Sequence, residues 1–298
     1  MPFDIRALKT AIRDELRDHL YPRCLYGTIE ATLSTSTDRI DLAQSFVPYS
    51  KCYSTITPYS YTIPVTLKIK KYGSPDEGIV VSLQSDNDGV PSGSTIASSS
   101  IPPSSIPSSL STVSTSLVID NMLTSFKKYW LVIESKNSLS DSDYYTIAKD
   151  SVDAHYIVGS AFERYNEGNW SSLNVDLYFN FKVKGFIYNN YPHEKLSIHN
   201  YPRIAVDMIG RPRVEQRWID RKLAKYHIDM AVVIFSAYTD ELEDLASYVD
   251  RILWSSRLNI SNVRILNPSD ITPISIVDER KFSRAVRFTL EYRMIADY

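Results

Sequence analysis

Residues 226–253 read YHIDMAVVIFSAYTDELEDLASYVDRIL, and a change of rhythm inside them sets the fold class. From Tyr226 to Ala237 the residues are largely apolar, a run of strand length and composition. From Thr239 onward the apolar residues space out. Leu242, Leu245, Ala246, Val249, Ile252 and Leu253 recur at intervals of three and four, the stripe of an amphipathic helix. Asp240, with Glu243 three residues on, supplies a capping-box start. A strand feeding a helix predicts an α+β fold, and both elements need partners for their apolar surfaces.

Those partners are found by working outward. Toward the C-terminus, Val286, Phe288, Leu290, Tyr292 and Met294 alternate with Arg287, Thr289, Glu291 and Arg293, the period of a half-buried strand. Val263–Leu266 and Ile274–Val277 are shorter strand candidates. Toward the N-terminus, Tyr201–Met208 reads as a strand with Pro202 at its start, where a missing N–H is tolerated. The last partner lies at the far end of the chain. Ile5, Leu8, Ile12, Leu16 and Leu20 stripe a helix over residues 3–20, with Arg6, Lys9, Arg13, Asp14 and Arg17 opposite, and Tyr21-Pro22 ends it. Nothing nearby in sequence covers that stripe. Docking it on the C-terminal sheet makes residues 1–26 and 187–298 one small α/β domain, an antiparallel or mixed sheet with two helices. Residues 27–186 are then an insertion, placed where chain ends lie close together at a surface.

The insertion has a different texture. Strand-like runs at residues 65–70, 79–83, 116–119, 129–133, 144–147 and 175–181 are separated by turn signals. Residues 92–116, SGSTIASSSIPPSSIPSSLSTVSTS, are expected to be too polar for a core. With no helical pattern over this length, the insertion is expected to be an all-β sandwich of jelly-roll type.

Composition narrows function. A net charge of -2 over 298 residues gives no global basic field for nucleic acid. The N-terminus lacks the apolar core of a secretory signal, and no run approaches a membrane span, so the expectation is a protein made in the cytoplasm with no membrane partner. Cys24 and Cys52 are too few for a disulfide framework; reduced thiols are favoured over one bridge. The histidines at 19, 155, 193, 199 and 227 are scattered, and His193 and His199 beside Glu194 supply no ligand triplet. No serine sits in a nucleophile elbow. The expectation is no catalytic residue, no metal, no cofactor and no enzyme. Asp86-Asn87-Asp88-Gly89 lacks the remaining calcium-loop acids and reads as a turn.

Two groups of residues are candidate sites. Arg211, Arg213, Arg217, Trp218, Arg221, Lys222 and Lys225 form a basic run suited to a loop or β-arm that meets a neighbouring subunit, or passing DNA. Its bland alternative is a solvated face, since Glu215 and Asp220 are interleaved. Trp170 with Asn169 in a turn-like stretch, and Tyr144, could contact a glycan, although aromatic residues on strands are more often core, as expected for Trp130.

The order helix, Tyr201-Pro-Arg-Ile-Ala-Val206, strand, a helix of the form DELEDLASYVDRIL, then an Arg-rich last strand resembles the tail-terminator (tail-completion) proteins of tailed phages and archaeal viruses. The resemblance covers residues 1–25 and about 187–298, and rests on order and texture. It implies a virion protein of the head–tail neck, a hexameric ring that caps the tail tube and docks the head connector. The chain departs from that pattern in its large β-module and in the long basic stretch 211–225. In the insertion, Ala43-Gln-Ser-Phe46, Gly89-Val-Pro-Ser-Gly93, Tyr129-Trp-Leu-Val132, Asn169-Trp170 and Asp176-Leu-Tyr-Phe179 resemble a jelly-roll module of phage and bacterial surface proteins. That resemblance implies decoration, adhesion or carbohydrate binding, and the rival reading is an adhesin whose sandwich is the working part.

Overall fold

The computed structural model describes residues 5–48, 55–56, 60–121, 123–124, 127–151, 156, 159–181, 187–189, 202–209, 213–217, 223–236, 239–255, 263–273 and 282–295. The fold is α+β; the described residues form two α-helices and three sheets, antiparallel apart from one short parallel pair. The chain divides into two compact units, Met1–Arg17 with Gly185–Tyr298, and Asp18–Lys184. The sequence reading placed these boundaries at 26/27 and 186/187, nine and two residues later, because the strand Arg23–Cys24 pairs inside the inserted unit.

In the discontinuous unit, α1 (Ile5–Leu20) buries Leu8, Ile12, Leu16 and Leu20, the stripe predicted from their spacing. It is tied to the sheet by polar contacts far apart in sequence. Lys9 pairs with Asp207, an Arg17 Nη donates to the Ile187 carbonyl at 2.7 Å, and Asn189 Nδ2 meets the Thr10 hydroxyl at 3.0 Å. The sheet runs Ile187–Tyr188, Arg203–Met208, Leu223–Ser236, Phe282–Ile295, Val263–Pro273, with Arg213–Arg217 added along the Leu223–Ser236 strand. That central strand is buried on both faces: Met230, Val232 and Ile234 on one, Ala231 and Val233 on the other. This explains why its sequence is a continuous apolar run rather than an alternation. The second helix, α2 (Thr239–Ser255), packs on the three longest strands of this sheet and buries all six residues of its predicted stripe. It already includes Thr239, so Asp240 lies inside the first turn rather than at the cap. The candidate strand Ile274–Val277 lies outside the described residues.

The inserted unit is two antiparallel sheets around one core. One sheet orders Arg23–Cys24, Phe179–Phe181, Tyr61–Tyr72, Tyr144–Lys149 and Ile29–Thr32, with Thr55–Ile56 and Ser111–Ile119 also paired to the long Tyr61–Tyr72 strand. The other orders Ser171–Ser172, Ala161–Tyr165, Ile40–Phe46, Tyr129–Ser135, Ile79–Asn87 and Val90–Ile101. Ile63, Val65, Leu67 and Ile69 point inward from the first sheet and meet Leu42, Phe46, Val81, Leu83, Leu131 and Ile133 from the second. Each such side chain contributes about 1.5–3 kcal/mol on leaving water.

The Ser-rich stretch departs from expectation. It forms most of two edge strands, Val90–Ile101 and Ser111–Ile119, joined through a single 3-10 turn, Pro103–Ser105. Ala97, Ile101 and Ile106 enter the shared core. An edge strand needs few apolar residues, and polar side chains on it discourage pairing with other chains. The hydroxyls also bond across strands, Ser99 to Thr115 at 2.6 Å and Thr66 to Ser114 at 2.8 Å. Asp86–Gly89 closes a two-residue hairpin with φ of 51° at Asp88 and 88° at Gly89, the geometry that favours Asp-Gly. The Asp86 carboxylate is occupied within the fold, accepting from the Gly89 N–H at 3.2 Å and the Trp130 indole N–H at 2.6 Å.

Candidate functional site

The basic run forms an antiparallel hairpin, Arg213–Arg217 against the start of Leu223–Ser236. A bulge between Val214 and Gln216 divides its cations. Directly opposed residues share a face of a sheet, and an extra residue re-aims those that follow. Register therefore places Arg213 in one row with His227, Glu291 and Arg264, and Lys225 in the next row of the same face with Gln216 and Arg293. Arg217, opposite Ala224 and Met294, falls on the other face, with Val214, Tyr226, Tyr292 and Val263 in the adjacent row. Two members of the expected set are thus brought together, one is separated from them, and Arg211, Trp218, Arg221 and Lys222 lie outside the described residues. Register aligns Arg264 and Arg293, on strands distant in sequence, with these two rows. Only the strong alternation of the last strand hinted at Arg293.

The three glycan candidates do not form one platform. Alternation along Tyr129–Ser135 sends Tyr129, Leu131 and Ile133 into the shared core and Trp130 and Val132 to the outer face of their sheet. Trp130 is buried there, edge-on to Phe162 with ring centroids 5.0 Å apart. Trp170 packs partly buried on this same outer cluster, and the Arg164 guanidinium lies 4.8 Å from its ring centroid. Arg164 is itself fixed by Asp41 at 2.8 Å and Glu134 at 3.3 Å. One ring face of Trp170 is therefore spoken for by a cation. Asn169 beside it is exposed. Tyr144 belongs to the other sheet, stacked on Tyr72 at 4.5 Å.

A buried polar cluster was not foreseen. Cys24, Asp150 and Asp176 offer ligand atoms all within 4.8 Å of one another, a group able to hold a cation by its chemistry. Hydrogen bonds already account for much of it. Asp176 accepts from Gln44 Nε2 at 2.9 Å and from the Tyr156 N–H at 2.7 Å, and Gln44 Oε1 accepts from the Leu177 N–H at 2.8 Å. Cys24 is a free thiol 3.6 Å from both the Asp150 carboxylate and the Tyr26 carbonyl. Burial, reinforced by the two carboxylates, raises its pKa far above neutrality, so it stays protonated and poorly nucleophilic. Cys52, the other cysteine of the chain, lies outside the described residues. The cluster joins the Ile40–Phe46 strand of one sheet to the segment leading into Phe179–Phe181 of the other. Gln44, Asp176 and Leu177 all fall within the stretches that carried the jelly-roll resemblance.

At the loops of the same unit, carboxyls are held below their usual range. Asp76 is stabilised by the Ser138 hydroxyl and N–H, Asp141 by Ser36, and Asp143 by the Ser142 hydroxyl and the Ser74 N–H. A depressed folded-state pKa stabilises above the unfolded carboxyl value, about 3.9, and that stabilisation is lost as pH falls through the folded value. These loops should therefore open selectively on acidification below about pH 4. Amide exchange at Ser36, Ser74 and Ser138 is the measurement, and unaltered protection there at pH 3 would contradict the assignment.

No helix of the described residues is long and apolar enough to cross a membrane. Compared with known proteins, the chain matches no protein-family model and no curated protein.

Proposed function

We propose that this chain is a non-enzymatic structural protein of a virion, a tail terminator that forms a homo-oligomeric ring at the head–tail neck. In this reading the ring caps the tail tube, receives the head connector on its other face and displays a jelly-roll insertion outward. The observation that carries the reading is the composition of the discontinuous unit. An N-terminal helix, separated from its partners by the whole insertion, joins a sheet and a single helix in the element order that the resemblance requires. The basic run folds as a β-hairpin, a form suited to meeting a neighbouring subunit or DNA phosphate.

The carbohydrate-binding reading has less support. Trp170 is partly buried beneath Arg164, and Tyr144 lies in a different sheet, so a sugar ring would find no ready pair of stacking faces. The test of the terminator reading is assembly mass, alone and with tail-tube protein. A single chain indifferent to the tube would return the weight to the sandwich and to a glycan array.

A further inference from the structure

The second sheet of the inserted unit ends in a weakly held segment. Ala161–Tyr165 turns through Asn166 and Glu167 toward Ser171–Ser172, a strand of two residues. Of residues 165–174 only Trp170 and Leu173 are half-buried, and the others are exposed. These two anchors point opposite ways. Leu173 packs against the shared core, and Trp170 against the outer cluster of Ala43, Trp130 and Val132. Both ends of the segment hold residues in the left-handed region, at φ of 48° for Asn166, 61° for Glu167 and 53° for Asn174. Asparagine tolerates this conformation, whereas glutamate is strained in it. The turn itself is firmly placed. The Gly168 N–H donates to the Tyr165 carbonyl at 2.8 Å, and the Asn166 side chain accepts from the Arg39 N–H and donates to Asp38.

Register explains what the segment covers. Ser172 stands opposite Phe162 and Ser171 opposite Glu163, and continuing that register brings Trp170 beside Arg164. Arg164 in turn stands opposite Asp41, bonds both Asp41 and Glu134, and stacks on the Trp170 ring. The Asp41 side chain is only 3% exposed, yet its Oδ1 has no hydrogen-bond partner among the described residues. A buried acceptor left unmet favours any state that admits water to it. Strain at Glu167, the unmet oxygen of Asp41 and reliance on two anchoring side chains put this segment at the low end of local stability.

We propose that residues 168–174 form a lid, latched by Trp170 on Arg164, that opens on hinges at Glu167 and Asn174 while the rest of the sandwich stays folded. Opening parts Trp170 from Arg164, bares both to solvent and hydrates Asp41. The lid operates in a single chain and in a ring alike.

Amide hydrogen exchange of the full chain reads this motion residue by residue. The Leu173 N–H, which donates to the Ala161 carbonyl at 2.9 Å, is the reporter of the lid, and the Tyr61–Tyr72 strand is the reporter of the body. Leu173 should exchange roughly a hundredfold faster than the body, at a rate that low urea concentrations leave unchanged, because little surface is exposed. Trp170→Ala removes the latch and should speed Leu173 roughly tenfold with the body unaltered. Glu167→Gly relieves the strain of the closed hinge and should slow Leu173 about threefold. Exchange of Leu173 at the rate and urea dependence of the body would overturn the lid, since the segment would then open only when the whole sandwich does. Equal acceleration of Leu173 and the body in Trp170→Ala would overturn it as well. Unchanged exchange in Glu167→Gly, which retains every anchoring side chain, would overturn the hinge even if Trp170→Ala failed to fold.

Discussion

Replacing Gln44 by leucine is expected to lower the stability of the inserted unit by about 3–5 kcal/mol. The side chain of Gln44 is fully buried and holds three polar groups at once. Its Nε2 donates to Asp176 Oδ1 at 2.9 Å and to the Ser45 carbonyl at 3.1 Å, and its Oε1 accepts from the Leu177 N–H. Leucine has similar bulk but none of these groups, so the Leu177 N–H and an Asp176 oxygen lose a partner inside the protein. Each buried group left without its partner costs about 1–3 kcal/mol. For a unit of this size the melting midpoint should fall by roughly 10 °C. Thermal denaturation followed by calorimetry reads it. A fall of less than about 2 °C would mean that the cluster is not the link between the sheets that its geometry indicates.

The second large effect lies in the other unit. Ile12→Asp places a carboxylate at a position with no solvent exposure, in the middle of the apolar stripe of α1. Burying an unpaired charge should cost roughly 4 kcal/mol or more, enough to detach α1. Because α1 and the C-terminal sheet form one unit although the insertion separates them in sequence, the damage should appear in the transition of that unit. The inserted sandwich should keep its own. Limited proteolysis supplies a second readout, with new cleavage inside residues 5–17. A thermogram in which only the sandwich transition moved would contradict the assignment of α1 to the C-terminal sheet.

Both helices and about half of the described strands were legible because their signals are local, whereas Ile29–Thr32, Ile40–Phe46 and Ala161–Tyr165 were not foreseen. The stripe Leu8, Ile12, Leu16 and Leu20 needs only a spacing rule, and the alternation of Val286 to Met294 needs only a period of two. What was not legible depends on pairing partners. A serine-rich run reads as loop until it is known to lie at two sheet edges, where Ser99 and Thr115 bond to each other. Trp130 reads as core. It is buried, but on the outer face, because its neighbours Tyr129 and Leu131 take the inward positions. The basic run reads as one arm, yet the bulge after Val214 shifts the register between Arg213 and Arg217, so that Arg213 pairs with His227 and Arg217 with Ala224. No spacing rule anticipates a cluster such as Gln44, Asp150, Asp176 and Cys24, whose members are brought together by three separate strand pairings and their flanking segments. Fold class follows from periodicity, whereas sites follow from register.

The proposed ring is tested most directly by the mass of the purified protein in solution, measured by light scattering alone and with a tail-tube protein. Six times the 34.0 kDa of one chain, either free or formed on the tube, is the result it predicts. A mass of one chain in both conditions would contradict it.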